Sequence, residues 1–191
     1  MTASTRFSNS LRYRDEADPR QVQLTPDYIL DPIREMWGGT IGLDPCTEPD
    51  NPTGAEMFYA PPVDGAVESW DSPTIFVNPP YGKARERWVR RCVDAAYAGS
   101  EVVLLMPAHP DTRIFQEALE TAAFVVFIQG RVKFGVLRPN RRQAAASHPS
   151  ALIVWGRDDI EELCGLGTIV VPSWAAALRS TAAFRTPKAE R

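Results

Sequence analysis

The chain has 191 residues, 44% of them hydrophobic and 24% charged, and a formal net charge of −3. This is the size of one domain and the composition of an ordinary soluble globular protein, with enough apolar residues to bury a core. No apolar run approaches ~20 residues, so no membrane span is expected, and the polar stretch Met1–Arg20 does not read as a signal peptide.

In chain order, residues 1–22 carry four arginines and few apolar side chains, and read as a flexible arm. Thr25-Pro26 makes a helix start, hydroxyl cap then proline in the first turn. Leu30, Ile33 and Trp37 then recur at helical spacing until Gly38-Gly39. Thr40–Leu43 reads as a short strand running into Asp44-Pro45-Cys46, and residues 44–72 as one long loop, a form that is usually functional in a compact domain. Thr74–Val77 reads as a buried strand, followed by Asn78-Pro79-Pro80-Tyr81-Gly82. A helix over about Ala84–Tyr97 places Trp88, Cys92, Ala95 and Ala96 on one face. Glu101–Met106 is the next predicted strand, and Asp111 is expected to cap a helix carrying Ile114, Phe115, Ala118 and Leu119. Phe124–Ile128, Ala151–Trp155 and Thr168–Val171 read as strands, the last after a short acidic helix. Alternating strands and helices predict an α/β fold, one Rossmann-like domain over 23–172 with a mostly parallel sheet covered on both faces. Residues 173–191 read as a loose tail. Such sheets bind ligands at the carboxyl ends of their strands, where Asp44 and Asn78 both fall.

The three cysteines (Cys46, Cys92, Cys164) are scattered and never spaced as CxxC, and the only histidines are His109 and His148. Reduced thiols in a cytoplasm are expected, with no disulfide framework and no metal site. The net charge gives no support to a nucleic-acid partner; either basic cluster alone reads as a solvated face, and their flanking of the motif below favours DNA. Arg131, Lys133, Arg138, Arg141 and Arg142 occupy one stretch free of acids. A second cluster runs Lys83, Arg85, Arg87, Arg90 and Arg91, with only Glu86 against it.

The informative motif is Asn78-Pro79-Pro80-Tyr81, directly after a buried strand. Asn, Pro and Gly make ordinary turns, but a plain turn needs neither two rigid prolines nor a following aromatic. The four residues suit a site that alkylates an aromatic amine, whose lone pair is delocalised into the ring. The Asn78 side-chain oxygen and the Pro79 carbonyl can accept from the NH2 and localise that lone pair. The proline run holds its carbonyl outward and offers no competing N–H. Tyr81 can stack on the flat ring, worth ~1–3 kcal/mol per base.

Here the chain resembles the phage-type DNA N-6-adenine methyltransferase (Dam) family, over roughly residues 24–155. The resemblance rests on Thr25-Pro26, Leu43-Asp44-Pro45-Cys46, Asp64-Gly65 with Trp70, and Val77-Asn78-Pro79-Pro80-Tyr81-Gly82. It continues through Trp88, Leu105-Met106-Pro107-Ala108, Asp111-Thr112 and Gly130-Arg131-Val132-Lys133-Phe134. It implies an S-adenosylmethionine-dependent enzyme that methylates the N6 amine of adenine in DNA, with the target base flipped out of the stack. Asn78, Pro79, Pro80 and Tyr81 are then catalytic. Thr25, Pro26, Asp44, Pro45, Cys46, Asp64 and Asn78 are the candidate cofactor residues, Asp44 toward the charged methionine portion and Asp64, like Glu56, toward the ribose or adenine. Lys83, Arg85, Arg131, Lys133, Arg138, Arg141 and Arg142 are the candidate DNA contacts, arginines in such loops holding phosphates and reading guanine edges. A monomer without metal is the expected form.

One departure is the turn after the first strand, which has no glycine until Gly54. It motivates an alternative from another class, a DNA-binding module without catalysis. Within the enzymes, the alternatives are a cytosine N4 amine and a protein glutamine amide, since Asn-Pro-Pro-Tyr is shared with both. Cys46 is set aside as the nucleophile of ring-carbon methylation, because the Asn-Pro-Pro-Tyr turn would then have no purpose.

Overall fold

The computed structural model describes residues 23–80, 85–135 and 145–172. Seven strands form one sheet: β1 (Leu43–Asp44), β2 (Met57–Phe58), β3 (Thr74–Val77), β4 (Glu101–Pro107), β5 (Phe124–Ile128), β6 (Ser150–Trp155) and β7 (Gly167–Val170). The helices are α1 (Asp27–Met36), α2 (Arg85–Tyr97) and α3 (Arg113–Thr121), with a 3-10 turn at Glu161–Leu166. The strand order is β2-β1-β3-β4-β6-β5-β7. The pairings β1–β2, β1–β3 and β3–β4 are parallel, while β4–β6, β5–β6 and β5–β7 are antiparallel. The expected α/β architecture is present, parallel in the half that carries Asp44 and Asn78. β6 and β7 run against their neighbours. Antiparallel neighbours need no helical crossover, and among the described residues no helix joins β5 to β6.

Each strand's alternation divides the apolar residues between two faces. Val102, Leu104 and Met106 of β4, with Ile75 and Val77 of β3, pack under Trp88, Val89 and Cys92 of α2 and Phe115 and Ala118 of α3. Val103, Leu105 and Phe76 point the other way, onto Ile29, Leu30, Ile33 and Met36 of α1 and onto Leu163 and Leu166 of the 3-10 turn. Helices therefore cover both faces, as the strand pattern implied. No helix among the described residues is long and apolar enough to cross a membrane.

Two helix starts differ from the sequence expectation. Pro26 occupies the cap position of α1, and no side chain caps the helix. The Thr25 hydroxyl is spent elsewhere, on Asn78. At α3 the cap position is Thr112, not Asp111, and its hydroxyl turns back to the His109 carbonyl at 2.7 Å. Two other features had no clear signal. β2 lies inside the stretch read as one long loop, its two residues both exposed and therefore without an apolar alternation to find. Trp37, expected on the apolar face of α1, donates its indole N–H to Glu101 at 2.8 Å, where Arg157 also donates at 2.9 Å, pinning the end of α1 to the start of β4.

Candidate active site

β1 and β3 are adjacent and parallel, Leu43 facing Ile75, so the turns that leave their carboxyl ends lie side by side. One turn is Asp44-Pro45-Cys46; the other is Asn78-Pro79-Pro80. Both open into a cavity of about 340 Å³ that also reaches Thr25, Tyr59, Asp64 and Trp88. The structure thus brings Thr25, Asp44, Pro45, Cys46, Asp64 and Asn78 to one cavity; Pro26 and Glu56 do not line it, and Glu56 instead accepts from the Thr40 hydroxyl at 3.3 Å. Pro26 sits behind it, as the cap of α1. Tyr81 and Lys83 lie outside the described residues.

Asn78 is oriented by the segment preceding α1. Its amide nitrogen donates to the Gln23 carbonyl at 2.8 Å and to the Thr25 hydroxyl at 3.0 Å. A backbone carbonyl accepts only, so the atom facing Gln23 is the nitrogen and the amide oxygen is left as an acceptor. That is the orientation a site needs if it is to accept from an amine. The same segment is tied across by Leu24, whose backbone exchanges hydrogen bonds with Gly135 at 3.2 and 2.8 Å.

Asp44 is 3% exposed. One carboxylate oxygen accepts from the Cys46 backbone N–H at 3.1 Å and the other from the Thr53 hydroxyl at 2.9 Å. Burial outweighs these bonds and pushes its carboxyl from the ordinary 3.8 to about 6. A buried carboxylate beside a cavity suits a ligand with positive charge. Cys46 shows the opposite of activation: burial, and next the Asp44 charge, hold its thiol well above the usual range. A thiolate nucleophile is disfavoured there.

The outer wall is residues 59–66. Tyr59 continues the β1–β2 ladder, its N–H on the Asp44 carbonyl at 3.0 Å and its carbonyl taking the Thr47 N–H at 3.1 Å. Gly65 lies so close to the Asp44 turn that an added Cβ would stand 1.7 Å from the Pro45 carbonyl oxygen. The wall therefore packs directly onto that turn, backbone against backbone. Asp64 engages Arg87 of α2 through both oxygens, at 2.8 and 3.2 Å, and one of them also takes the Ala66 N–H at 3.1 Å. Trp88 stacks on Trp70 with ring centroids 6.0 Å apart, and also borders the cavity. Sequence reasoning placed Trp88 in the core alone and missed Gln23, Thr53 and Tyr59, none of which stands in a motif.

Gly65→Ala should therefore disturb both fold and cavity. Overpacking of this kind costs about 1–3 kcal/mol, so the melting temperature should drop by several degrees and cofactor affinity at least roughly tenfold. Thermal unfolding and calorimetric titration with S-adenosylmethionine check this; a variant with parental values in both would show that the wall yields freely.

The basic residues separate into two groups. On α2, Arg87 pairs with Asp64, Arg90 with Glu86 at 2.6 Å, and Arg91 lies over the Trp70 ring at 4.9 Å while donating to the Glu68 carbonyl. That cluster is largely committed within the chain. Glu86 is shared with Arg113 of α3 at 2.7 Å, and its carboxyl is held below the usual range mainly by that hydrogen bond. In the segment after β5, Val132 and Phe134 are buried while Arg131 and Lys133 are exposed, an alternation that turns both cations outward. Isolated bridges Lys133–Ala145 and Leu24–Gly135 carry this segment across the carboxyl edge of the sheet toward Thr25 and Asn78. Arg85 begins α2, on the same edge. Arg138, Arg141 and Arg142 lie outside the described residues.

No curated protein matches the chain. A family model does, over residues 15–171: its description is DNA N-6-adenine-methyltransferase (Dam). That match covers most of the chain's length: the chain belongs to the DNA N-6-adenine-methyltransferase (Dam) family.

Proposed function

We propose that this chain transfers a methyl group from S-adenosylmethionine to the N6 amine of adenine in DNA. The observation that carries the reading is Asn78, whose amide nitrogen is tied to Gln23 and Thr25 so that its oxygen remains an acceptor for an amine. The cavity residues fit the cofactor: buried Asp44 faces it with a carboxylate suited to the cationic methionine portion, and Tyr59, Val63 and Trp88 supply apolar wall for a flat base. When bound, S-adenosylmethionine supplies an electrophilic methyl on a sulfonium.

The chain's own residues position and polarise. Asn78 and the Pro79 carbonyl accept the two amine hydrogens and draw the nitrogen toward tetrahedral geometry, and Tyr81 stacks on the ring. Catalysis then rests on placement and fixed dipoles, with no covalent intermediate. Arg131 and Lys133, with Lys83, Arg85, Arg138, Arg141 and Arg142, are assigned to the DNA, and a monomer acting in the cytoplasm is the simplest form. The deciding test incubates purified protein with methyl-labelled S-adenosylmethionine and duplex DNA, digests the DNA to nucleosides, and identifies the labelled base. Label in N6-methyladenine is expected. Label in N4-methylcytosine moves the substrate assignment to cytosine, and cofactor binding without any transfer to DNA removes the DNA methyltransferase reading.

A further inference from the structure

The carboxyl edge of the sheet carries a second constellation, away from the cavity. β4 ends at Pro107 opposite Ser150, the first residue of β6, so the residues just after β4 and just before β6 share one rim. Backbone bonds fix both: Ala108 N–H to the Pro149 carbonyl at 2.8 Å, and Thr112 N–H to the His109 carbonyl at 3.0 Å. The chain's only two histidines meet there, rings edge to face with centroids 4.6 Å apart. Arg131 anchors beside them, donating to the Ser147 carbonyl at 2.9 Å. β5 runs in the same direction as β4, each being antiparallel to β6, so Arg131 leaves the sheet at this edge too. β3 also ends here, with Asn78.

The charged and titratable groups that face His148 are His109 from the turn after β4, Arg131 from the segment after β5 and Arg85 from the start of α2. His109, His148 and Arg131 bring three groups that are cationic or able to become so to one rim, an arrangement complementary to a phosphodiester.

Resting on the reading of this chain as a DNA enzyme, we infer that His109 and His148, with Arg131 beside them, grip a backbone phosphate of the DNA next to the catalytic turn. In the free protein, burial first and then the His109, Arg131 and Arg85 charges hold His148 below the usual histidine range. A phosphate reverses that preference, since an adjacent anion favours the protonated ring. DNA binding therefore takes up protons. Affinity rises as pH falls through the interval between the raised bound-state value and the depressed free-state one, and levels off below it.

The experiment measures DNA affinity of the full chain without cofactor, between about pH 8 and pH 5.5, at several salt concentrations. For the parent protein, affinity should rise by up to about tenfold per pH unit for each proton taken up. His109→Gln/His148→Gln should flatten the pH profile and lower the salt slope at acid pH by about one unit per lost phosphate contact. His148→Lys, with its charge fixed, should keep the affinity and lose most of the pH dependence. S-adenosylmethionine affinity, set by the separate cavity, should be parental in all variants and so reports that they fold. An unchanged pH profile in the double Gln variant, or lost turnover with DNA affinity intact, overturns the phosphate grip while leaving the DNA reading standing. A parent chain that binds no DNA at any pH overturns both.

Discussion

Asn78→Ala should lower methyl transfer by about 10²–10³-fold, the range seen when one fixed polar partner of a developing charge is removed. The substitution deletes the amide oxygen assigned to the amine, together with the two bonds to Gln23 and Thr25. Each of those is worth about 0.5–1.5 kcal/mol net, so the variant should still fold, with a modestly lower melting temperature. Cofactor affinity should change by less than about tenfold, because Asp44 and the 59–66 wall are untouched. Thr25→Val separates orientation from chemistry. It removes one of the two anchors and leaves the amide oxygen in place, so a smaller loss, about tenfold, is expected. Single-turnover kinetics with saturating DNA read both variants. An Asn78→Ala protein within tenfold of the parent would overturn the polarisation mechanism.

Asp44→Asn should have two opposed effects. Because the folded carboxyl titrates near 6 instead of 3.8, the native environment favours the neutral acid. Its contribution to stability is therefore present below about pH 4 and is lost as pH rises through about 6. At pH 8 the buried charge costs the apo protein roughly 3 kcal/mol. Asparagine removes that cost, keeps an oxygen for the Cys46 N–H, and offers an NH2 to a Thr53 hydroxyl that can turn to accept. The apo variant should be more stable than the parent at pH 8, by several degrees, and show little gain at pH 4. S-adenosylmethionine affinity at pH 8 should fall by about two orders of magnitude, about 3 kcal/mol, for want of the carboxylate. In the parent the same affinity should weaken as pH drops through about 6. Calorimetry on both proteins across pH decides the matter: an Asp44→Asn variant that binds cofactor like the parent makes Asp44 a structural residue only.

Asn78 and Asp44 were legible because each follows a strand that the apolar pattern identifies, and because the chemistry of Asn-Pro-Pro-Tyr exceeds what a turn requires. The helices were legible from their spacing, and α1, α2 and β5 emerge within a residue or two of expectation. Other features had no local signal. Thr25 satisfies the pattern of a helix cap, and only the tertiary approach of β3 decides that its hydroxyl goes to Asn78 instead. The direction of β6 is invisible for a related reason. Its residues are buried on both faces, and such a strand looks the same whichever way it runs. The pairing of the second basic cluster was legible only in part: Glu86, one helical turn from Arg90, stands in the same stretch, while Asp64 approaches Arg87 from another loop.

The position of β6 also sets an order on assembly. It lies between β4 and β5 in the sheet, although both precede it in the chain. Its ladder with β4 joins Val102 to Trp155 and Pro107 to Ser150. While the chain emerges from the ribosome, Asp44, Asn78 and the histidine at 109 are all made before the strand that completes the middle of the sheet. Until residue 155 is available, β4 and β5 each carry an unpaired apolar edge, the kind of surface that templates misassociation. Closing the sheet then needs contacts spanning some fifty residues, which makes the central pairing slow relative to local helix formation. A nascent chain halted before β6 should thus hold nearly all of the chemistry and none of the order needed to use it.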